Sequence, residues 1–403
     1  MNAVMYGAGN IGRGFIGALF SQSGYDVTFI DVAEATVDAL NRDGQYPVRV
    51  VSNEGFDETI IKNVSAVNGR DEEAVAETIA NADIMATAVG VNVLKFIAPV
   101  IAKGIKKRFA LNGTPLNIII CENLIDANKV LEGMIKEKLT SEESTWFDQN
   151  IGLCEASIGR MVPVQTPEMQ DGNPLRVCVE RYGFLPVDKE AFRGQIPDIK
   201  NMVPFEPFDY YIRRKLYLHN MGHATCAYLG MLKGCTCIYE SIDDAEVRVI
   251  CQSAMTESAI ALSTQYSVPI SALTDHLFDL LKRFENVALG DTCARVGADT
   301  VRKLNPSDRL IGAATLCLQT GVTPAFIALG AAAALHAHLN ANTQSQTEEN
   351  ALTALEEIAN LSPEDKLTTL ILDLYRPIAN GASIEELRKL ADAKRIEMCG
   401  AIV

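Results

Sequence analysis

The sequence predicts an α/β protein with a doubly wound parallel sheet first and a mostly α-helical domain second. Three observations carry that reading. Apolar, β-branched runs alternate with helical patterns through the first ~125 residues, as strands buried on both faces by helices do. A glycine-rich turn joins the first of those runs to the first helical pattern. Beyond residue ~208 the chain turns Ala/Leu-rich with helical periodicity to ~390. Together they make the N-terminal part a Rossmann-type domain.

The elements follow in order. The run 3–7, AVMYG, is a short apolar strand ending in glycine, and 11–24 carries apolar residues at helical spacing until Gly24. The runs 26–31 (DVTFID), 82–90 (ADIMATAVG) and 116–123 (LNIIICEN) are the next strands. Between the first strand and helix lies Gly7-Ala8-Gly9-Asn10-Ile11-Gly12, a G-x-G-x-x-G. Gly7 permits the tight turn, Gly9 lets backbone approach a pyrophosphate, and Gly12 lets the helix pack on the strand. The helix N-terminus then faces the phosphate charge. Asp31 ends the second strand 19 residues after Gly12, near the ~20 expected of the residue that accepts hydrogen bonds from the adenosine ribose. A carboxylate there repels a 2′-phosphate, which favours NAD over NADP; FAD shares the fingerprint. Thr87, Ala88 and Val89 end a later strand, where a crevice-lining loop or a plain strand end both fit.

From ~151 to 204 prolines recur and short alternating runs such as 174–182 read as strands, an extension of the sheet. The stretch 194–208 is the linker candidate, and 339–350 is a polar loop between helices. The domains are therefore expected at 1–200, an NAD-binding domain with sheet extension, and 201–403, a mostly helical substrate and catalytic domain.

The net charge of −15 argues against nucleic acid or an anionic membrane as partner. The expected partner is a small molecule, which a local basic pocket can hold even if it is anionic. The ten cysteines include no C-x-x-C, and the five histidines offer no ligand set with them, so no metal site is expected. Buried reduced thiols suit a cytoplasmic location. The N-terminus has no basic n-region, no apolar run has spanning length, and Cys399 lies one residue too far from the end for a prenylation box.

The segment 213–224, RRKLYLHNMGHA, sets Lys215, Asn220 and His223 among apolar neighbours. On an α-helix Asn220 and His223 stack on one face, with Lys215 about 80° away from His223. A lysine desolvated there loses basicity toward neutrality and can exchange a proton with an alcohol, while Asn and His hold the substrate oxygen. Residue types alone leave two readings open: a catalytic face, or a snorkelling lysine beside a core histidine. His223 is itself a candidate base.

Lys215-x4-Asn220-x2-His223 resembles the signature of the polyol-specific long-chain dehydrogenases, the mannitol dehydrogenase family. The segments 7–17, 87–90, 97–105, 115–124, 214–230, 283–286 and 295–311 carry the resemblance in the family's order, covering essentially residues 1–330. It implies metal-independent, NAD-dependent catalysis with Lys215 as general acid/base and Asn220 and His223 as its polar partners. It further implies that Asn123 helps hold the reacting oxygen and that Arg295 binds substrate. The substrate pair it favours is mannitol 1-phosphate and fructose 6-phosphate; free mannitol, or a hexuronate such as altronate or mannonate, is the alternative. A non-catalytic NAD-binding protein is the alternative of another class. Two departures bear on this. Gly159 stands before Arg160 where relatives usually carry aspartate, and Ala298 stands where they often carry a basic residue that Arg302, Lys303 or Arg309 could replace.

Overall fold

The computed structural model describes residues 1–111 and 113–399, the last as backbone only, so the C-terminal box weighed above falls partly outside the described residues. The chain divides into two compact units, Met1–Asp209 and Tyr210–Val403.

In the first unit the strands are β1 (Asn2–Tyr6), β2 (Asp26–Asp31), β3 (Gln45–Ser52), β4 (Gly55–Lys62), β5 (Val64–Asn68), β6 (Ile84–Thr87), β7 (Leu116–Ile120), β8 (Ile151–Glu155), β9 (Val177–Val179), β10 (Leu185–Asp188) and β11 (Met202–Phe205). Six form one parallel sheet in the order β5-β2-β1-β6-β7-β8. Renumbered among themselves these read 3-2-1-4-5-6, the order of the dinucleotide-binding sheet, and the direction of winding reverses between β1 and β6. All of β6 and β7 is buried, because helices cover both faces. One face carries Val4, Ile30, Met85 and Ile118 against Ile79, Ile101 and Leu131; the other carries Met5, Phe29 and Ile119 against Phe15, Leu19 and Val177.

Only β8 of the 151–204 stretch joins this sheet. β9 pairs in parallel with β3, whose antiparallel partner is β4, and β10 and β11 form a separate parallel pair. The buried guanidinium of Arg13 ties the glycine-rich helix to the region before β9, donating to the carbonyls of Ala8 (2.6 Å) and Leu175 (2.5 Å). Arg160 donates to the Gly14 carbonyl at 2.9 Å. At Gly159 a Cβ would lie 3.0 Å from the Tyr182 ring, so a side chain there would require the ring to shift by a few tenths of an ångström.

The second unit is helical. Its middle is the Ala325–Ala341 helix, packed against the Met221–Lys233, Ala245–Tyr266 and Lys366–Ala379 helices. Small residues let these axes approach closely, since a Cβ on Gly330 would meet Thr225 Oγ1 at 2.5 Å. The N-terminus of the central helix is capped from a neighbouring helix. The carboxylate of Glu257, 5% exposed, accepts from the backbone N–H groups of Phe326 (3.0 Å) and Ile327 (3.0 Å).

Loss of hydration pushes Glu257 up from 4.5 to about 8, with the backbone donors opposing it. A carboxyl raised in the folded state contributes stability below its unfolded value, and that contribution is lost as pH rises through the folded one. The stability of the second unit should therefore fall between about pH 4.5 and 8. Glu257→Gln should flatten that slope in urea unfolding, and should cost roughly 1–3 kcal/mol at low pH where the amide disturbs the cap. An unchanged slope would mean that the cap does not titrate.

No helix among the described residues is long and apolar enough to cross a membrane. The nine described cysteines are free, seven of them buried.

Candidate active site

The first unit gathers its predicted residues at the C-terminal ends of β1, β2, β6 and β7. Gly7 has φ +103°, and a Cβ there would lie 2.5 Å from the Ala88 carbonyl oxygen; a Cβ on Gly12 would lie 1.9 Å from that of Gly7. Both must be glycine for the turn to close on the next strand. A Cβ on Gly9 would meet nothing within 4 Å, so that glycine opens onto space where backbone can approach a pyrophosphate. The helix starts at Asn10 and runs through Ile11 and a wide π-turn at Gly12–Ile16. The first N–H groups of a helix have no partner within it, which is what an anion site requires. The donor set and the open cradle fit a dinucleotide.

The Asp31 carboxylate accepts from the backbone N–H of Ala8 (2.7 Å) and of Ala33 (3.0 Å). Each carboxylate oxygen has a second lone pair, so both can still accept from ribose hydroxyls. Asp31→Ser removes that acceptor and the charge facing a 2′-phosphate. We expect KM for NAD to rise about tenfold or more, and the preference for NAD over NADP to shrink by a similar factor, in paired steady-state assays. Thr87 is fully buried and its hydroxyl lacks a partner among the described residues. Ala88 and Val89 follow it, and Glu122 fixes that loop by accepting from the N–H groups of Val89 (3.0 Å) and Gly90 (2.8 Å). Glu122 was not singled out in the sequence; its neighbour Asn123 is exposed just beyond β7.

The second unit carries the Lys/Asn/His segment, and its backbone differs from the regular helix assumed above. Residues Arg214–Asn220 form a π-helix that runs into the Met221–Lys233 α-helix. At 3.6 residues per turn, Lys215 and Asn220 would lie about 140° apart. An i→i+5 turn places residues five apart nearly one above the other, so the wide turn draws Lys215 toward the face of Asn220 and His223. Such wide turns recur at functional sites because they break helical register without breaking the helix.

Lys215, Asn220 and His223 are all partly buried. Loss of hydration, then the positive charges of Arg309 and Arg302, push the Lys215 ammonium down from 10.5 to about 8, against the pull of Asp308. His223 is lowered from 6.5 to about 3, first by burial and then by Arg295, Arg309, Arg283 and Lys303. Its ring stacks on Phe284, with centroids 4.8 Å apart and planes 12° apart. His219, buried, lies 6.2 Å from it.

Arg295 is exposed, and its guanidinium donates through Nε to Asp291 Oδ1 at 2.7 Å. The other oxygen of Asp291 lies 3.5 Å from His223 Nε2. Lys303 (3% exposed) and Arg309 (9% exposed) are buried, and Lys303 donates to the Ala298 carbonyl. Burial, then Arg309 and Arg302, lower Lys303 to about 8. A chain of net charge −15 thus collects cations whose fields converge on Lys215 and His223. Asp291 and Phe284 escaped the sequence reading, although Phe284 lies in a segment, 283–286, that carried the resemblance.

Comparison with known proteins gives concordant matches. Residues 1–201 match the family model "Mannitol dehydrogenase Rossmann domain", and residues 208–380 match "Mannitol dehydrogenase C-terminal domain". A mannitol-1-phosphate 5-dehydrogenase of Brevibacillus brevis is 38% identical over 83% of this chain and 86% of its own. One of Thermoanaerobacter pseudethanolicus is 38% identical over 83% and 85%. Among solved structures, a Pseudomonas fluorescens mannitol 2-dehydrogenase, in ternary complex with NAD and D-mannitol, superposes with TM-score 0.72. It is 15% identical, with 98% of this chain and 94% of that one covered, a likeness of fold.

Proposed function

This chain belongs to the mannitol dehydrogenase family of NAD-dependent polyol dehydrogenases, and we propose that it interconverts D-mannitol 1-phosphate and D-fructose 6-phosphate without a metal, using Lys215 as general acid/base. The observation that carries the reading is a partly buried lysine, lowered to about 8, amid several buried or half-buried cations. When bound, NAD accepts hydride from the carbinol carbon or, as NADH, returns it. Gly7 to Gly12 and Asp31 would hold that cofactor, with Thr87, Ala88 and Val89 as wall.

Lys215 takes the hydroxyl proton as the alcohol is oxidised and gives it back as the ketone is reduced. At about 8 its neutral and charged forms are both accessible near neutrality, which suits a group that must work in both directions. His223, at about 3, is too weak a base for that task and stays neutral. The Asn220 amide donates to the reacting oxygen, the neutral His223 ring holds the substrate by a hydrogen bond, and the resemblance assigns Asn123 as a further hydrogen-bonding residue. In this reading hydrogen bonds and nearby positive charge, rather than a metal, polarise the reacting oxygen.

The phosphate is assigned to Arg295, Lys303 and Arg309. Their charges compensate for Ala298, and they raise the local concentration of a dianionic substrate around an otherwise acidic chain. One observation favours an uncharged polyol instead: Arg309 pairs with Asp308 (2.6 Å) and Arg302 with Asp299 (2.8 Å), so part of the positive charge is already met. NADH oxidation with fructose 6-phosphate, fructose and hexuronates separates these readings. Fructose 6-phosphate should have the highest kcat/KM by at least about tenfold; preference for fructose or a hexuronate would contradict the assignment. The buried free thiols support a reducing, cytoplasmic setting.

A further inference from the structure

We infer that Asp291 is a positioning residue that acts through His223: its carboxylate sets the imidazole's tautomer and orientation while bracing Arg295. The inference rests on the role given to His223 above. Asp291 faces two functional side chains at once. Oδ2 lies 3.5 Å from His223 Nε2, and Oδ1 accepts from Arg295 Nε at 2.7 Å. The side chain of Asp291 is 9% exposed and that of His223 is 14% exposed, so water competes little for either.

Asp291 is itself held. Its backbone carbonyl accepts from Ile238 N–H at 2.9 Å, Thr292 bridges Cys237, and the N–H of Cys293 donates to the Thr236 carbonyl at 2.9 Å. The strap 236–238 is in turn fixed by Glu240, whose carboxylate accepts from the N–H groups of Thr236 (2.8 Å) and Cys237 (2.9 Å). The histidine ring is thus confined by Phe284 on its face and Asp291 at its edge. A carboxylate only accepts hydrogen bonds, so a neutral ring beside it carries its proton on Nε2 and leaves Nδ1 as an acceptor. His223 then accepts a hydrogen bond from a substrate hydroxyl, and the donors to the reacting oxygen are Asn220 and protonated Lys215. Without Asp291 the ring is free to take the other tautomer, and Arg295 loses the partner that holds its fork.

A double-mutant cycle with an NMR readout tests this in the full-length protein. Asp291→Asn keeps the shape but offers an N–H to Nε2, which forces the proton to Nδ1. It should lower kcat/KM for the polyol by roughly 10–100-fold, with NADH affinity and Tm close to wild type. In a His223→Ala background the same change should cost less than about threefold, because the asparagine oxygen still accepts from Arg295 and the imidazole on which the change acts is gone. Ring-nitrogen NMR of the wild type should show His223 as the Nε2–H tautomer, a readout that stands even if the Asn variant folds poorly. An Nδ1–H tautomer in the wild type would overturn the inference. So would equal losses in both backgrounds, or a silent Asp291→Asn beside an impaired His223→Ala. A His223→Ala enzyme with wild-type turnover would overturn the role of His223 as well, which separates the two failures.

Discussion

Lys215→Ala is expected to lower kcat in both directions by about 10²–10⁴-fold, the range a single general acid/base contributes, while NADH binds as before. The two effects separate because they belong to different parts of the chain. The glycine turn and Asp31 lie in the first unit, and Lys215 lies in the second. The loss should be in turnover because no neighbour is poised to replace the lysine. His223 is lowered to about 3 and His219 falls well below 6.5. Lys303, although also near 8, is occupied with the Ala298 carbonyl. Lys215→Arg should be nearly as inactive, since guanidinium keeps the charge but does not give up its proton near neutrality. Small primary amines should restore part of the Lys215→Ala rate. Steady-state rates and NADH fluorescence titration read the two effects apart, and a variant with near-normal turnover would remove Lys215 from the chemistry.

Lys303→Met and Arg309→Met carry the second large expected effect. A charge-assisted hydrogen bond contributes about 1.5–3 kcal/mol, so each change should lower kcat/KM for fructose 6-phosphate by roughly 10–100-fold. With fructose the loss should be smaller, because no phosphate contact is forfeited there and only the bonds to the Ala298 carbonyl and to Asp308 are lost. Arg309→Met should have a further consequence. Its positive charge is, after burial, the largest influence depressing Lys215. Removing it should raise the Lys215 pKa and shift the alkaline limb of the rate profile upward. Equal losses with both ketoses would show that these side chains support the fold or the proton chemistry rather than the phosphate.

The parts of the molecule legible in the sequence are those written in local patterns. The parallel sheet could be read because β6 and β7 are apolar throughout, which strands covered on both faces require. The turn at Gly7–Gly12 could be read because sterics permit no side chain at its closest approaches. The hairpin of β3 and β4 went unread: β4 is exposed along nearly its whole length, so no burial pattern marks it, although Asn53 and Gly55 sit at its turn. The π-turn at Arg214–Asn220 was equally invisible, because side-chain periodicity does not report whether a backbone N–H reaches four or five residues back. Asp291 and Phe284 are distant from His223 in sequence and meet it through packing within the second unit. A pattern of residue types contains no such pairing.

The most direct test of the account is the pH dependence of kcat for polyol phosphate oxidation by the chelator-treated enzyme, with ketose phosphate reduction followed in parallel. The base must be neutral to accept a proton, so oxidation should rise with pH through about 8, and reduction, which needs the ammonium, should fall through the same value. Full activity after chelation with mirrored profiles centred near 8 is the predicted result. Loss of turnover on chelation, or profiles with no inflection near 8, would contradict proton transfer by Lys215 without a metal.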